Sequence, residues 1–223
     1  MIIFVGKLQF EPSRMKKFII FSIVMLLISM LSVSCVSNNG WTKQELQLIH
    51  SASLSRMDVL TIDNPDDSLI LRKVSRDLTR RDVESVEFAY LAASMIETVN
   101  NSDNPGVGIA APQVGISVNM IVVQRVDKAG APFEVYVNPK IISRNSESVP
   151  SSEGCLSVPE YRMEIPRSKD ITISYRHPIT YDEVIEEIYG FPAIIFQHEI
   201  DHLSGILYFD RYTESSTFLD SEE

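Results

Sequence analysis

The chain has 223 residues, with 30 acidic against 20 basic side chains and a formal net charge of −10. Apolar residues make up 44% and charged residues 22%, a globular composition that excludes a disordered or fibrous chain. So acidic a chain is a poor candidate for direct nucleic-acid binding, because little positive charge is left to displace phosphate counterions. Two cysteines, Cys35 and Cys155, are too few for a disulfide framework.

The N-terminal segment carries charge of the opposite sign. Residues 1–34 sum to +3, and no charged residue occurs between Lys17 and Lys43. Residues 18–31 are apolar apart from two serines. A basic start followed by a short apolar run is typical of a secretory signal, and this run is shorter than the roughly 20 residues of a membrane span. The pattern predicts export or membrane attachment.

The residues around Cys35 resemble a bacterial lipoprotein processing site. Small residues precede the cysteine, although Ser32 stands where a larger aliphatic residue is usual. Residues 1–35 are therefore predicted to be a signal and lipoprotein-like segment that attaches the chain to a membrane through Cys35. Cleavage after Ser34, an uncleaved anchor and a buried helix that is never removed stay open as alternatives, as do starts at Met1 and Met15.

The polar residues 36–58 are predicted to be a tether, in which a capping box at 42–45 opens a short helix. Apolar side chains then recur at helical spacing over 88–99, and a loop follows at 100–106. Short β-rich runs, separated by turn residues, suit antiparallel strands; they lie at 120–126, 133–137, 171–175 and 184–189. A last helix is predicted over 193–204, from Pro192 to a stop at Gly205. This order of elements predicts an α+β fold.

The last helix carries two histidines, His198 and His202, four residues apart. This spacing places both imidazoles on one face of a helix, where they converge on one metal ion. Glu199 lies about 100° around the helix from His198, which suits a general base better than a ligand. The apolar run just before His198 favours burial of this segment over two solvated histidines.

A catalytic metal needs a third protein ligand. Position 208, where one protease class has its third histidine, is Tyr208, and Glu214 and Glu222 lie in a polar tail. The remaining soft donor is Cys155, which follows Gly154, a residue that permits a tight backbone. Read alone, such a cysteine is a small buried hydrophobe, but beside two histidines that lack a partner it is predicted to be a ligand.

A glycine-rich segment at 106–113 does not fit a nucleotide-binding loop, because Pro112 interrupts it and no lysine follows. Its small residues instead predict a backbone that passes close to a ligand or a metal. Gln113 is then placed to offer an amide donor to a developing oxyanion, with a merely structural turn as the alternative.

The three motifs together resemble those of the peptide deformylases, metal hydrolases that remove the formyl group from N-formylmethionyl peptides. The family patterns Gly-x-Gly-φ-Ala-Ala-x-Gln, Glu-Gly-Cys-φ-Ser and Gln-His-Glu-x-Asp-His are complete at 106–113, 153–157 and 197–202. The resemblance extends over 60–212, where 66–74 is similar to the family's opening strand and Leu-Arg-Lys-Val segment. A catalytic domain is thus predicted over 59–212, with an acidic tail over 213–223 in place of the long C-terminal helix of some members.

The resemblance implies an α+β fold with antiparallel sheets around the helix of His198 and His202. It implies that these histidines and Cys155 bind one divalent metal ion and leave the fourth position to water. Iron(II) is the metal that family membership favours, and zinc also suits a thiolate with two imidazoles. Glu199 would take a proton from the water and deliver it to the leaving amine.

Further roles follow from the same resemblance. Gln113 and the backbone N–H of Leu156 would stabilise the oxyanion, and Glu153 and Asp201 would orient the metal ligands. The resemblance implies that the methionine side chain binds in a pocket formed by Val107, Phe191, Ile194 and Ile195. It implies that the peptide backbone is held by Gly108, Gly154 and Arg162. The partner is an N-formylmethionyl nascent chain, and we expect a monomer.

Two rival functions stay open at the level of sequence. An exported metalloprotease would need a third ligand other than Cys155 and would cleave unformylated peptides. A non-catalytic lipoprotein is the other rival, suggested by the N-terminus. Location is also in conflict, because the family's substrates are cytoplasmic, whereas residues 16–35 predict membrane association.

Overall fold

An antiparallel sheet and a separate β-ribbon form the frame of the computed structural model, which describes residues 40–52, 54–101 and 105–212, all within one compact unit, Ser37–Glu223. The predictions for 1–35 and 213–223 lie outside the described residues. The sheet has the strand order β1-β2-β3-β6-β7 and the ribbon pairs β4 with β5. The strands are β1 Gly108–Ala110, β2 Met120–Gln124, β3 Phe133–Arg144, β4 Ser148–Cys155, β5 Val158–Ser168, β6 Asp170–Arg176 and β7 Glu183–Tyr189.

Five α-helices lie in the described part of the chain. They are α1 Lys43–Ala52, α2 Pro65–Leu71, α3 Arg80–Val83, α4 Val86–Val99 and α5 Phe191–Leu203; two 3₁₀ turns span Ala111–Val114 and Tyr208–Arg211. None of these helices combines the length and the apolar character that spanning a bilayer requires. The predicted α+β fold with antiparallel sheets is confirmed.

Helix α5 is the element on which both β-structures pack. It contacts β1, β2, β3 and β7 of the sheet and also β5 of the ribbon. Its apolar side is fully buried: Ala193, Ile195 and Phe196 join a cluster with residues of β2, β3, β6 and β7. The helix starts with Pro192 in its first turn, and past its end Gly205 has a φ of +70°. A Cβ on Gly205 would lie 2.4 Å from the backbone oxygen of Arg72, so only glycine fits there.

Residues 41–52 pack against the core, which corrects the prediction of a tether over 36–58. Trp41 and Ile49 are 0% and 1% exposed and belong to the same buried cluster as α4. The indole Nε1 of Trp41 donates to Ser85 Oγ at 3.0 Å, at the N-cap of α4. The predicted capping box forms, since Glu45 accepts from the backbone N of Thr42 at 2.7 Å and Thr42 Oγ1 accepts from that of Glu45 at 3.2 Å.

Two further predictions of local structure were incomplete. The stretch 66–71, compared with an opening strand, is helical because Asn64 caps the N-terminus through Asp66 N and Pro65 occupies the first turn. The ribbon of β4 and β5 was not predicted, because β4 lacks the apolar alternation of a half-buried strand. Its buried positions are Ser151 and Glu153, which are polar.

The packing of α1 predicts a large loss of stability when Trp41 is truncated. Replacing a fully buried aromatic side chain by alanine costs about 3–5 kcal/mol, or a Tm lowered by roughly 10 °C in a domain of this size. Thermal unfolding of the full chain measures this for Trp41→Ala. Gln47→Ala, on the exposed side of α1, is the matched control and should leave the Tm nearly unchanged. An unchanged Tm for Trp41→Ala would mean that residues 41–52 are a tether after all.

Candidate active site

Helix α5 presents three buried polar side chains to the ribbon. The rings of His198 and His202 lie one turn apart with their centroids 5.1 Å from each other. Glu199 and His202 are buried, and His198 is nearly so. Their burial confirms that this face of the helix is not a solvated surface.

Cys155 reaches the two histidines from the end of β4. The register of the ribbon shifts between Gly154, which pairs with Arg162, and Cys155, which pairs with Val158. Its Sγ lies 3.3 Å from Nε2 of His202. The three candidate ligand atoms of Cys155, His198 and His202 lie within 4.8 Å of one another, and no other such group of His, Cys, Asp and Glu side chains occurs among the described residues.

This donor set fits a divalent metal ion. A thiolate and two imidazoles are the ligands of tetrahedral sites that keep one position open. The Nδ1 atom of His198 donates to Glu153 at 2.7 Å, which fixes the tautomer and leaves Nε2 for a metal. Burial, followed by the nearby His198, lowers the pKa of His202 well below its ordinary value.

Glu153 and Asp201 are linked by a buried arginine, Arg167. Its Nε and a terminal nitrogen donate to the two oxygens of Glu153 at 2.7 and 3.0 Å, and its other terminal nitrogen donates to Asp201 at 2.6 Å. Burial would raise the pKa of Glu153, but hydrogen bonds from His198 and Arg167 outweigh burial and hold this pKa below its ordinary value. Glu153 is therefore an ionised acceptor for His198.

Arg167 was missed by sequence reasoning, although a signal for it existed. Met163, Ile165 and Arg167 alternate along β5, and all three are buried. An arginine at an inward position of a strand requires a carboxylate partner, since an unpaired buried charge is very costly.

Glu199 is a buried carboxyl group beside the candidate ligands. Burial raises its pKa to about 7, and its Oε2 atom has no hydrogen-bond partner among the described residues. The backbone of β1 passes close by: a Cβ on Gly108 would lie 2.5 Å from Glu199 Oε1 and 2.8 Å from Ile195 Cγ2. Gly108 is thus the residue that lets β1 approach the helix.

Gln113 is held in the 3₁₀ turn Ala111–Val114 with its amide directed at Cys155. Its Oε1 accepts from the backbone N of Ala110 at 2.8 Å. Its Nε2 donates to Ser157 Oγ at 3.1 Å and lies 3.5 Å from Cys155 Sγ. The amide hydrogens therefore lie next to the candidate metal position.

A cleft of about 610 Å³ opens over this group of residues. Of the predicted site residues, those that line the cleft are Val107, Gly154, Cys155, Leu156, Arg162, Phe191, Ile194, Ile195, His198 and Glu199. Gly108, Gln113 and His202 are not among the residues that line it. Phe191 is 53% exposed, so the apolar side of the cleft is partly open to solvent.

Comparisons with known proteins agree on one family. Residues 57–217 match the family described as polypeptide deformylase. The chain is 36% identical over 169 residues to the peptide deformylase of Leptospira biflexa, covering 72% of this chain and 89% of the relative. It is 41% identical over 150 residues to that of Thermotoga neapolitana, covering 67% and 85%.

Solved structures give the same result. The class I type b peptide deformylase of Acinetobacter baumannii, bound to Met-Ala-Ser, matches with a TM-score of 0.61 and 34% identity over 70% of this chain and 98% of that one. Peptide deformylase 1B of Arabidopsis thaliana, in complex with an inhibitor, matches with a TM-score of 0.62 and 33% identity over 71% and 82%. With its Cys155, His198 and His202 gathered beside Glu199, this chain belongs to the peptide deformylase family.

Proposed function

We propose that this protein is a metal-dependent hydrolase that removes the N-formyl group from N-formylmethionyl peptides of newly made proteins. One observation carries the proposal: Cys155, His198 and His202 converge beside the buried Glu199 at a cleft of about 610 Å³. Family membership supplies the reaction, and the Met-Ala-Ser ligand of the Acinetobacter baumannii relative supports the substrate class. The grouping of Cys155 with both histidines disfavours a metalloprotease that uses another third ligand.

Cys155, His198 and His202 are the residues that would hold the metal. A divalent ion bound there would lower the pKa of a water molecule and would polarise the formyl carbonyl. The donor set suits iron(II) and zinc alike, and we propose iron(II) because family membership favours it. Glu153 orients His198 through its Nδ1 hydrogen.

Glu199 is the proposed general base and acid. It takes a proton from the attacking water and later delivers it to the leaving amine. Two properties support this role: burial raises its pKa to about 7, and its Oε2 has no hydrogen-bond partner among the described residues. A carboxyl group so placed exchanges a proton in both directions at little cost.

The proposed oxyanion donors are the side-chain amide of Gln113 and the backbone N–H of Leu156. Gln113 is held from behind by Ala110, so its amide is fixed before substrate arrives. Leu156 follows Cys155 directly and lines the cleft. Fixed donors stabilise a developing charge without reorganisation, which is the basis of such sites.

The methionine side chain is proposed to lie against Val107, Phe191, Ile194 and Ile195, the apolar lining of the cleft. Gly108, Gly154 and Arg162 are the proposed contacts of the peptide backbone. Gly154 and Arg162 are register partners in the ribbon, so both are available at one side of the cleft. Burial of an unbranched side chain against this apolar lining stabilises the bound state by about 0.8 kcal/mol per buried methylene.

We propose that the catalytic domain extends from near Trp41 to near residue 212. Its start lies near Trp41 because α1 packs into the core. We further propose that residues 1–35 attach the protein to a membrane through lipidated Cys35, which rests on the charge and hydropathy pattern alone. The tail 213–223 and a monomeric state stay predictions from sequence.

Replacement of the proposed base separates proton transfer from metal binding. In the metal-loaded full chain, Glu199→Gln should keep its metal while formate release from formyl-Met-Ala-Ser falls by roughly 10²–10⁴-fold, because the proton acceptor is lost. Glu84→Gln, at the exposed C-cap of α3, is the control and should behave as the wild type. The proposed function fails if the metal-loaded wild type releases no formate, and the role of Glu199 fails if the variant loses its metal.

Replacement of the proposed thiolate tests the metal site. Cys155→Ala should lose most of its metal and nearly all activity, since two imidazoles alone do not hold a catalytic ion. Metal content by mass spectrometry and formate release are measured on one sample. Cys35→Ala removes the chain's other cysteine and should keep metal and turnover. Full occupancy in Cys155→Ala would exclude Cys155 as a ligand.

Attachment through Cys35 has its own test. Cell fractionation of the full chain should find the protein in the membrane fraction. Intact-mass analysis should give the mass of a mature protein whose first residue is lipidated Cys35. Cys35→Ala should stay unlipidated, because the acceptor thiol is gone. A soluble, unlipidated wild type of full length would contradict the proposal.

A further inference from the structure

A chain of alternating charges runs from the proposed ligand His198 to the surface of the molecule. His198 Nδ1 donates to Glu153, Arg167 joins Glu153 to Asp201, and Arg211 binds Asp201 from the other side. Arg211 donates through Nε at 3.1 Å and through a terminal nitrogen at 2.5 Å, one bond to each oxygen of Asp201. Neither the motifs nor the proposed mechanism gives Arg211 a role.

The three buried members of this charge chain, Glu153, Arg167 and Asp201, do not sum to zero charge. The side chains of Glu153, Arg167 and Asp201 are 5%, 4% and 8% exposed. They comprise two carboxylates and one guanidinium, and buried charges are stable only when each is matched. Arg211, whose side chain is 41% exposed, supplies the second positive charge from the surface.

Asp201 divides its oxygens between the two arginines. Arg167 and Arg211 both donate to Oδ2, whereas Arg211 alone donates to Oδ1. Without Arg211, Arg167 would be the remaining guanidinium for both carboxylates and would be drawn towards Asp201. Its two bonds to Glu153 would then weaken, and with them the anchor of the His198 ring.

The second histidine does not share this support. Among the described residues, Nδ1 of His202 is buried without a hydrogen-bond partner, so Glu153 is the carboxylate that fixes a ligand imidazole in this site. Partners of this kind are worth about 10–100-fold in metal affinity. A change in the hold on Glu153 therefore acts on metal retention.

We propose that Arg211 is a positioning residue, which acts through Asp201, Arg167 and Glu153 to hold His198 in place for the metal. The inference rests on the proposed function, because it takes His198 as a metal ligand. Arg211 touches neither the substrate cleft nor the candidate ligands.

The same 3₁₀ turn offers a matched control. Arg72 pairs with Asp210, the neighbour of Arg211, and its guanidinium lies 5.3 Å from the ring centroid of Phe209. Arg72 thus anchors the turn Tyr208–Arg211 without contacting Asp201. Tyr208, in the same turn, stacks near His198 with ring centroids 6.0 Å apart, so a variant that loses the turn also loses this contact. Arg72→Ala therefore separates the effect of losing the turn from the effect of losing the charge chain.

The test compares the metal-loaded full chain with Arg211→Ala, Arg211→Lys and Arg72→Ala. Metal release to a chelator should be about tenfold faster in Arg211→Ala. It should be intermediate in Arg211→Lys, which keeps the charge but loses the two-pronged contact. In Arg72→Ala it should equal the wild type, even if the Tm of both alanine variants falls. For formyl-Met-Ala-Ser, Arg211→Ala should lower kcat and leave KM unchanged.

Equal acceleration of metal release in Arg211→Ala and Arg72→Ala would overturn the proposal, because the turn alone would then be responsible. Wild-type metal retention in Arg211→Ala would overturn it as well. Failure of the proposed function looks different: the metal-loaded wild type would release no formate, whatever the order of metal release among the variants.

Discussion

The carboxylate of Glu153 is the contact on which the geometry of the site depends. It belongs to β4 and accepts from His198 of α5 and from Arg167 of β5, so it fixes the ribbon to the helix. The ribbon carries Cys155 two residues further on, and the helix carries both histidines. A single buried ion cluster therefore brings Cys155 to two histidines that lie more than 40 residues further along the sequence.

The rest of the fold holds the other side of that helix. The five-stranded sheet buries Ala193, Ile195 and Phe196. Strand β1 passes so close to the helix that only a glycine fits at position 108, beside Glu199. Apolar packing on one face and ion pairing on the other leave the helix little freedom. The result is a buried Glu199, whose pKa burial raises to about 7, next to a thiol and two imidazoles.

Much of this arrangement could be predicted from the sequence, because it is encoded locally. The spacing of His198 and His202 defines one helix face, and the apolar repeat of α4 defines another helix. Three features could not be predicted in the same way. β4 is stabilised by pairing and by the ion pair of Glu153 rather than by apolar alternation. The short helix α1 was predicted, but not its packing against the core together with Trp41, and Arg167 has no motif of its own. In each case the stabilising partner is distant in sequence, so a local pattern does not identify it; for Arg167 the alternation along β5 indicates only an inward position.

The central claim is that one thiolate and two imidazoles hold the metal. X-ray absorption spectroscopy of the metal-loaded full chain tests it most directly, because sulfur and nitrogen ligands differ in distance and scattering. With zinc bound, a thiolate and two imidazoles should give one sulfur at about 2.3 Å and two nitrogens at about 2.0–2.1 Å. A first shell of nitrogen and oxygen without sulfur would contradict the claim.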